Sequence, residues 1–316
     1  MKYILFAASL AAVLAVAGAS YAAPLYMNDF NADTTASWTV NAGPSDHLVD
    51  FFYDYSAIGV PAAPGGATTR GLKMTANNTL GIFSGFSVSP TGQSFSGIYK
   101  VSFDIWQNYV GPLGPGGSGT TQLSTYGIGT SGTVAFWPGA AVKESVTFST
   151  TLDGGSAADV RVYSSAAPTS YATGNAVYQS PGSTINNSDA YYTAAYLSQP
   201  APAAQVLLYP GQTGSTDAGE TSFKWRKVVI DVSGGFANWS IDGLPLAKVN
   251  LSTVTLGGGN ILFGHSDTNA GSSANVNDFL LNVTLIDNVK VVPEPSSLAL
   301  CLAAAVGAVV SRRRRS

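Results

Sequence analysis

Sulfur and charge are what this chain has least of. One cysteine, Cys301, stands among 316 residues, so no disulfide can close within the chain. Only 10% of the residues are charged, well under the ordinary share of about 25%. The acidic side chains include just three glutamates, Glu144, Glu220 and Glu294, and the two histidines, His47 and His265, lie far apart in the sequence. No G-x-S-x-G elbow, H-E-x-x-H helix or phosphate-binding loop occurs. A Ser-His-Asp set assembled from so many serines carries no weight, and an aspartate pair drawn from different strands stays open. No basic run stands in the body, which excludes the usual electrostatic footprint of a nucleic-acid binder.

The two ends are distinct from the middle. Met1-Lys2, the apolar stretch Ile4 to Ala17 and Ser20-Tyr21-Ala22 read as a secretory signal peptide, 1–22, with small residues at −3 and −1. Cleavage is expected after Ala22, with Ala23 the near alternative. The implied partners are the Sec translocon and signal peptidase. A retained N-terminal anchor is the other reading.

At the far end stand Val292-Pro293-Glu294-Pro295, an apolar run, and then Arg312, Arg313, Arg314 and Arg315. The prolines lack backbone donors and disfavour helix, so a helix over 297–311 begins only after them. About 13 to 16 apolar residues reach roughly 20 to 24 Å, short for a hydrocarbon core of about 30 Å. The arginines stay on the cytoplasmic side, which leaves the body outside. Cys301, within this run, reads as a small hydrophobe.

A C-terminal anchor would explain the helix and the charges alone. With Pro293, Glu294 and Pro295 immediately before it, segment 292–316 resembles the PEP-CTERM sorting signal of Gram-negative bacteria. The resemblance implies recognition by an exosortase, a membrane-embedded cysteine transpeptidase that cuts near the Pro-Glu-Pro. It also implies an inner-membrane-anchored intermediate, then release to the cell envelope, surface or extracellular matrix. Glu294 is then a recognition residue and no catalyst.

Without Lys2, the terminal arginines and Glu294, ten basic residues face seventeen acidic ones, a formal charge near −7. The body, 23–291, is rich in Gly, Ser, Thr, Asn and Ala, as an extracellular β protein is. Tyr99 to Trp106 alternates, with Val101, Phe103 and Ile105 on one face. Ser145 to Leu152, Val160 to Tyr163, Gln205 to Tyr209, Ser222 to Val232, Asn260 to Gly264 and Leu280 to Val292 also read as strands. Phe236 to Ile241 and Leu244 to Val249 flank Asp242-Gly243, the strongest short hairpin signal. In the last strand Val283, Leu285, Asp287, Val289 and Val291 are expected on one face, where the aspartate needs a partner. Long loops are expected near 110–121 and 164–204, the second too rich in tyrosine for a pure linker.

The pattern predicts an all-β, two-sheet antiparallel sandwich. Trp225-Arg226-Lys227-Val228, then Trp239-Ser240-Ile241-Asp242-Gly243, then Leu285-Ile286-Asp287-Asn288-Val289 resemble the later strands of concanavalin A-like, laminin-G-like jelly rolls. The resemblance implies that the last strand runs back beside a first strand opened by Asn28-Asp29-Phe30. It also brings in a group that holds lectins, glycan-binding and adhesive modules, and glucanases. Those glucanases carry their carboxylates as E-x-D-x-E on one strand, and no glutamate here has that neighbourhood.

No cofactor is required by the sequence; structural calcium is the one candidate, since hard cations take oxygen ligands. Asp29 and Asp33 near the first strand and Asp287 in the last would approach each other if those strands pair. His265 to Asn269 and Asn275 to Asp278 form another oxygen-rich stretch. The competing reading makes these Asp and Asn residues turn formers. For stacking on sugar rings, Trp38, Tyr53, Tyr55 and Trp137 are the expected positions, provided that they are exposed. Trp106, Trp225 and Trp239, within strands, are expected in the core.

Three functions follow. The first is a non-enzymatic surface or matrix protein associated with exopolysaccharide. The second is a lectin-like module with a defined glycan site. The third is a glycoside hydrolase or lyase using unmarked aspartates.

Overall fold

The alternating apolar segments pair as strands of two antiparallel sheets. The chain is described by a computed structural model covering residues 23–294, apart from 45, 77, 79–81, 83, 109–121, 153–156, 213 and 268–276. The expected signal helix, the tail helix 297–311 and the whole loop 110–121 lie outside the described residues. Among the described residues no helix is long and apolar enough to cross a membrane.

The strands are β1 (Tyr26–Asn28), β2 (Trp38–Asn41), β3 (His47–Asp54), β4 (Arg70–Ala76), β5 (Ser84–Pro90), β6 (Tyr99–Gln107) and β7 (Gln122–Thr130). They continue with β8 (Val146–Thr151), β9 (Val160–Tyr163), β10 (Arg226–Ser233), β11 (Phe236–Ile241), β12 (Leu244–Asn250), β13 (Asn260–Asp267) and β14 (Thr284–Pro293). One sheet has eight strands in the order β12-β11-β10-β6-β14-β4-β3, with β1 added on β14; the other has six, β2-β5-β13-β7-β8-β9. The expected antiparallel sandwich is what forms, with the last strand back beside the first as the jelly-roll resemblance implied. Asn28 closes that first strand, however, and Phe30 lies beyond it.

Between the sheets an aromatic layer meets edge to face. Phe103 lies 4.9 Å from Phe263 and 5.0 Å from Tyr126, ring centre to ring centre, and Trp239 stacks on Phe148 at 5.0 Å. Asp242 and Gly243, with φ of 49° and 83°, make the tight β11–β12 turn.

Two expectations are corrected. Gln205 to Tyr209 is no strand: Ala203–Leu208 is helical, α2, after a short helix α1 at Ala190–Thr193. Gln205 is buried there and its Nε2 donates to the Ile58 carbonyl at 2.9 Å. The last strand also does not keep one face. Its start is helical, α3 (Asp278–Leu281), and its pairing with β6 shifts register between Asp287 and Lys290. Val289 and Val291 therefore join the main core between the sheets, while Val283 and Leu285 pack in a second cluster with Tyr55, Trp106 and Trp225. A bulge re-aims side chains in just this way. The 164–204 segment is ordered because its tyrosines are structural: Tyr178, Tyr192 and Tyr196 all enter the main core.

Candidate functional site

The outer face of the eight-stranded sheet is divided in two. At one end Trp106 and Leu285 are covered by Ile58, Val60 and Ala63. At the other end the outward positions are polar and open.

The division falls at Asp104 and Asp287, which lie opposite each other on β6 and β14. Asp104 is compensated: Lys227 Nζ lies 2.9 Å from its Oδ1, and Asn288 Nδ2 donates to its Oδ2 at 2.7 Å. Asp287 accepts from Tyr55 Oη at 3.1 Å and from the Asn288 backbone N–H at 2.6 Å. Burial pushes its pKa up to about 7, and the charges of Asp104 and Asp29 push the same way.

That under-compensated carboxylate tests the calcium expectation. Ala63 O, Asp287 Oδ2 and Thr68 O lie 3.1, 3.5 and 3.5 Å from the point that a Cβ on Gly66 would occupy. The missing side chain leaves a cradle of hard oxygens, the donor set calcium takes. Asp287 fits it, whereas Asp29 accepts from the Asn31 backbone N–H at 3.2 Å, as a turn former does. Asp33 does not fit: it accepts from the backbone N–H and hydroxyl of Thr35 at 3.0 and 2.7 Å, as a turn former does. Among the described residues no group of three His, Cys, Asp or Glu side chains is placed to hold a metal.

Two further polar clusters are largely buried. His265 is fully buried, with Nε2 2.6 Å from Gln122 Oε1 and Nδ1 2.9 Å from Thr284 Oγ1. Gln122 Oε1 can only accept, so Nε2 carries the proton and Nδ1 accepts from Thr284. Burial lowers the imidazole pKa to about 3. Asp159 accepts from Thr151 Oγ1 at 3.1 Å and from Asn187 N–H at 3.0 Å, and Asn187 Nδ2 donates to Glu220 Oε1 at 2.8 Å. Burial raises the Asp159 pKa to about 6. Both carboxylates are only 2% exposed.

The aromatics expected to stack on sugars are mostly engaged elsewhere. Trp38 is buried in a ring stack, 5.3 Å from Phe51 and 5.7 Å from Phe30. Tyr55 is fully buried, 5.2 Å from Trp225. Neither ring is exposed as sugar stacking requires: Trp38 belongs to the core between the sheets, and Tyr55 to the second cluster with Trp106 and Trp225. Tyr53 is half-buried, with Lys73 Nζ 4.2 Å from its ring centre. Trp137 is half-buried and its carbonyl accepts from Lys143 Nζ at 2.9 Å. Trp106, Trp225 and Trp239 are in the core, as expected.

A cavity of about 340 Å³ lies on the open end of the outer face, lined in part by Lys100, Asp231, Asn238, Ser240, Lys248 and Gln179. Strand register builds it: Lys100 faces Asp231 across β6 and β10, Asp231 faces Asn238 across β10 and β11, and Asn238 faces Lys248 across β11 and β12. Sequence reasoning missed this row. Its signal was present as polar residues at alternate positions of apolar strands, but no single strand holds more than one of the four.

Of the expected sorting motif, Pro293 is the last residue of β14, opposite Tyr99. Glu294 N–H donates to Ile98 O at 3.2 Å, and its carboxylate is ion-paired with Lys100. Pro295, Arg312, Arg313, Arg314 and Arg315, like Ala22, lie outside the described residues. Ala23 is exposed ahead of β1.

No protein-family model matches the chain. No curated protein matches it either. Among solved structures it is similar to a protein of unknown function with a galectin-like fold from Bacillus subtilis, at 12% identity over 87% of this chain and 97% of that one, TM-score 0.39. It is similar also to the β-glucanase of Bacillus licheniformis, at 10% identity over 85% and 98%, TM-score 0.38. A third is the carbohydrate-binding module CBM66 of Bacillus subtilis, at 7% identity over 81% and 95%, TM-score 0.36. Likenesses this remote say nothing of ligand or activity.

Proposed function

We propose that this chain is an exported, non-enzymatic β-sandwich, sorted by a PEP-CTERM tail and delivered to the cell surface or matrix, where it associates with polysaccharide. The observation that carries the reading is the position of the two ends of the body. Leu25 N–H donates to Val291 O at 2.8 Å, and Tyr26 lies opposite Val291. The strands next to the expected leader and the expected tail thus pair with each other. β14 ends at Pro293, where the expected sorting motif starts. A body tethered through either segment hangs from the same corner, and trimming both leaves the first and last strands intact.

The non-enzymatic part is supported by the state of the carboxylates. Asp104 is held by Lys227 and Asn288, and Asp159 and Glu220 are nearly buried around Asn187 at the edge of a small recess. A hydrolase needs such a pair free in a groove. The lectin-like alternative draws on the 340 Å³ cavity, which offers polar groups of the kind that meet sugar hydroxyls.

Mass spectrometry of the C-terminus recovered from the envelope of a cell carrying an exosortase tests the sorting. A terminus near residues 293–295 is expected. A chain intact to Ser316 would make the tail a plain anchor.

A further inference from the structure

Glu294 is bound to the same lysine that walls the cavity. Its carboxylate pairs with Lys100, and Lys100 lines the open end of the outer face beside Asp231, Asn238 and Lys248. Asp231 Oδ1 is buried with no hydrogen-bond partner. Lys248 Nζ stands over the Phe236 ring, 4.2 Å from its centre.

We propose that this cavity binds a polyhydroxylated carboxylate, a hexuronate unit of an acidic polysaccharide, and that Glu294 is its built-in competitor. Lys100 and Lys248 supply two cations for the ligand carboxylate. Asn238, Gln179 and Ser240 form the polar wall that meets the ring hydroxyls, beside Asp231. With Glu294 in place, the charges of Lys100, Lys248, Asp231 and Glu294 cancel. Once Glu294 leaves, the site carries one net positive charge and a free ammonium. Cutting the tail before Glu294 therefore unmasks the site, so a chain still in the membrane is kept from polymer until it is released. The timing rests on the reading of the tail as a processed segment; the ligand class does not.

The full-length chain in detergent micelles, as wild type, E294Q, K100M and the double variant, is titrated with polygalacturonate, with dextran as the neutral control. E294Q is expected to bind polygalacturonate at least about fivefold more tightly than wild type. The gain should vanish in the double variant and fall steeply with added salt, as an exposed charge contact does. Equal melting temperatures of wild type and E294Q check that the fold is untouched, and E294Q/K100R, which keeps the cation, should keep the gain. The proposal is overturned if neither chain binds polygalacturonate, if E294Q matches wild type, if the gain survives K100M, or if dextran shows the same gain. A chain that is never cut near Pro293 but gains affinity in E294Q sinks the sorting reading and the timing that rests on it, and leaves the ligand class standing. A chain that is cut but gains nothing sinks this proposal alone.

Discussion

Asp287 lies directly opposite Asp104 on the neighbouring strand, with Asn288 between them serving both carboxylates. The Asn288 amide donates to Asp104 and its backbone N–H to Asp287. Like charges facing each other across strands ordinarily destabilise a sheet. Here the bulge that follows Asp287 supplies donors at the point of conflict.

Asn288 can do this because its φ is 53°, a left-handed backbone that Asn tolerates and a β-branched residue does not. Asn288→Val is expected to cost about 2–3 kcal/mol, from strain of about 1–2 kcal/mol and the lost bond to Asp104. Asn288→Gly relieves the strain and should cost about 1 kcal/mol. Urea denaturation of the two variants checks the order; a valine variant as stable as the glycine one would show that the bulge is not held by this residue.

Calcium should raise the melting temperature if the Gly66 cradle holds it. At about 100-fold excess over its Kd a ligand adds about 2.7 kcal/mol, or roughly 5–10 °C for a chain of this size. Asp287→Asn removes a ligand. Gly66→Ala puts a methyl 3.1 Å from Ala63 O and 3.5 Å from Asp287 Oδ2. Both variants should lose the response. A wild-type transition unmoved by either calcium or chelator refutes the site.

Asp159 makes stability depend on pH. Its folded pKa, about 6, lies above the value of about 3.9 expected in the unfolded chain. The folded state therefore binds more protons between those values, and stability falls as pH rises through that window. The contribution is present below about pH 4 and lost above about pH 6, amounting to at most about 3 kcal/mol. Measured against Asp159→Asn, which cannot titrate, wild type should gain stability on going from pH 7 to pH 4. A difference that stays flat across the window would mean that Asp159 is better solvated than its burial implies.

Trp239 should be the costliest single side chain of the main core to truncate. It is 1% exposed, stacked on Phe148 and edge-on to Tyr126 at 5.8 Å. Trp239→Ala is expected to cost about 3–5 kcal/mol, seen as a lower denaturation midpoint with an unchanged slope. A loss under about 1 kcal/mol would mean that the neighbouring rings collapse into the space.

The strands legible in the sequence were those whose two faces differ. β6, β9 and the β11–β12 hairpin stand where alternation or Asp242-Gly243 placed them. β5 and β7 were not legible. Their outward positions hold Gly85, Ser87, Ser89, Thr125 and Gly127, and Ser87, Ser89 and Thr125 are buried. A strand covered on both faces loses the contrast that pattern reading needs. Gln205 to Tyr209 failed for the opposite reason: a short apolar run fits helix or strand equally until its neighbours are known. Of the site residues, Asp287 could be singled out as needing a partner, but the cavity could not, since Lys100, Asp231, Asn238 and Lys248 come from four strands.

Local chemistry written along the chain determined the all-β class, the tight hairpin and the expected leader and tail, because each depends on residues close in sequence. Only the tertiary structure decided which face Asp287 takes, that Trp38 and Tyr55 are buried, and that Glu294 reaches Lys100. Those outcomes turn on register between distant strands and on a single bulge. A shift of one residue there exchanges core for surface, and nothing local in the sequence carries that information.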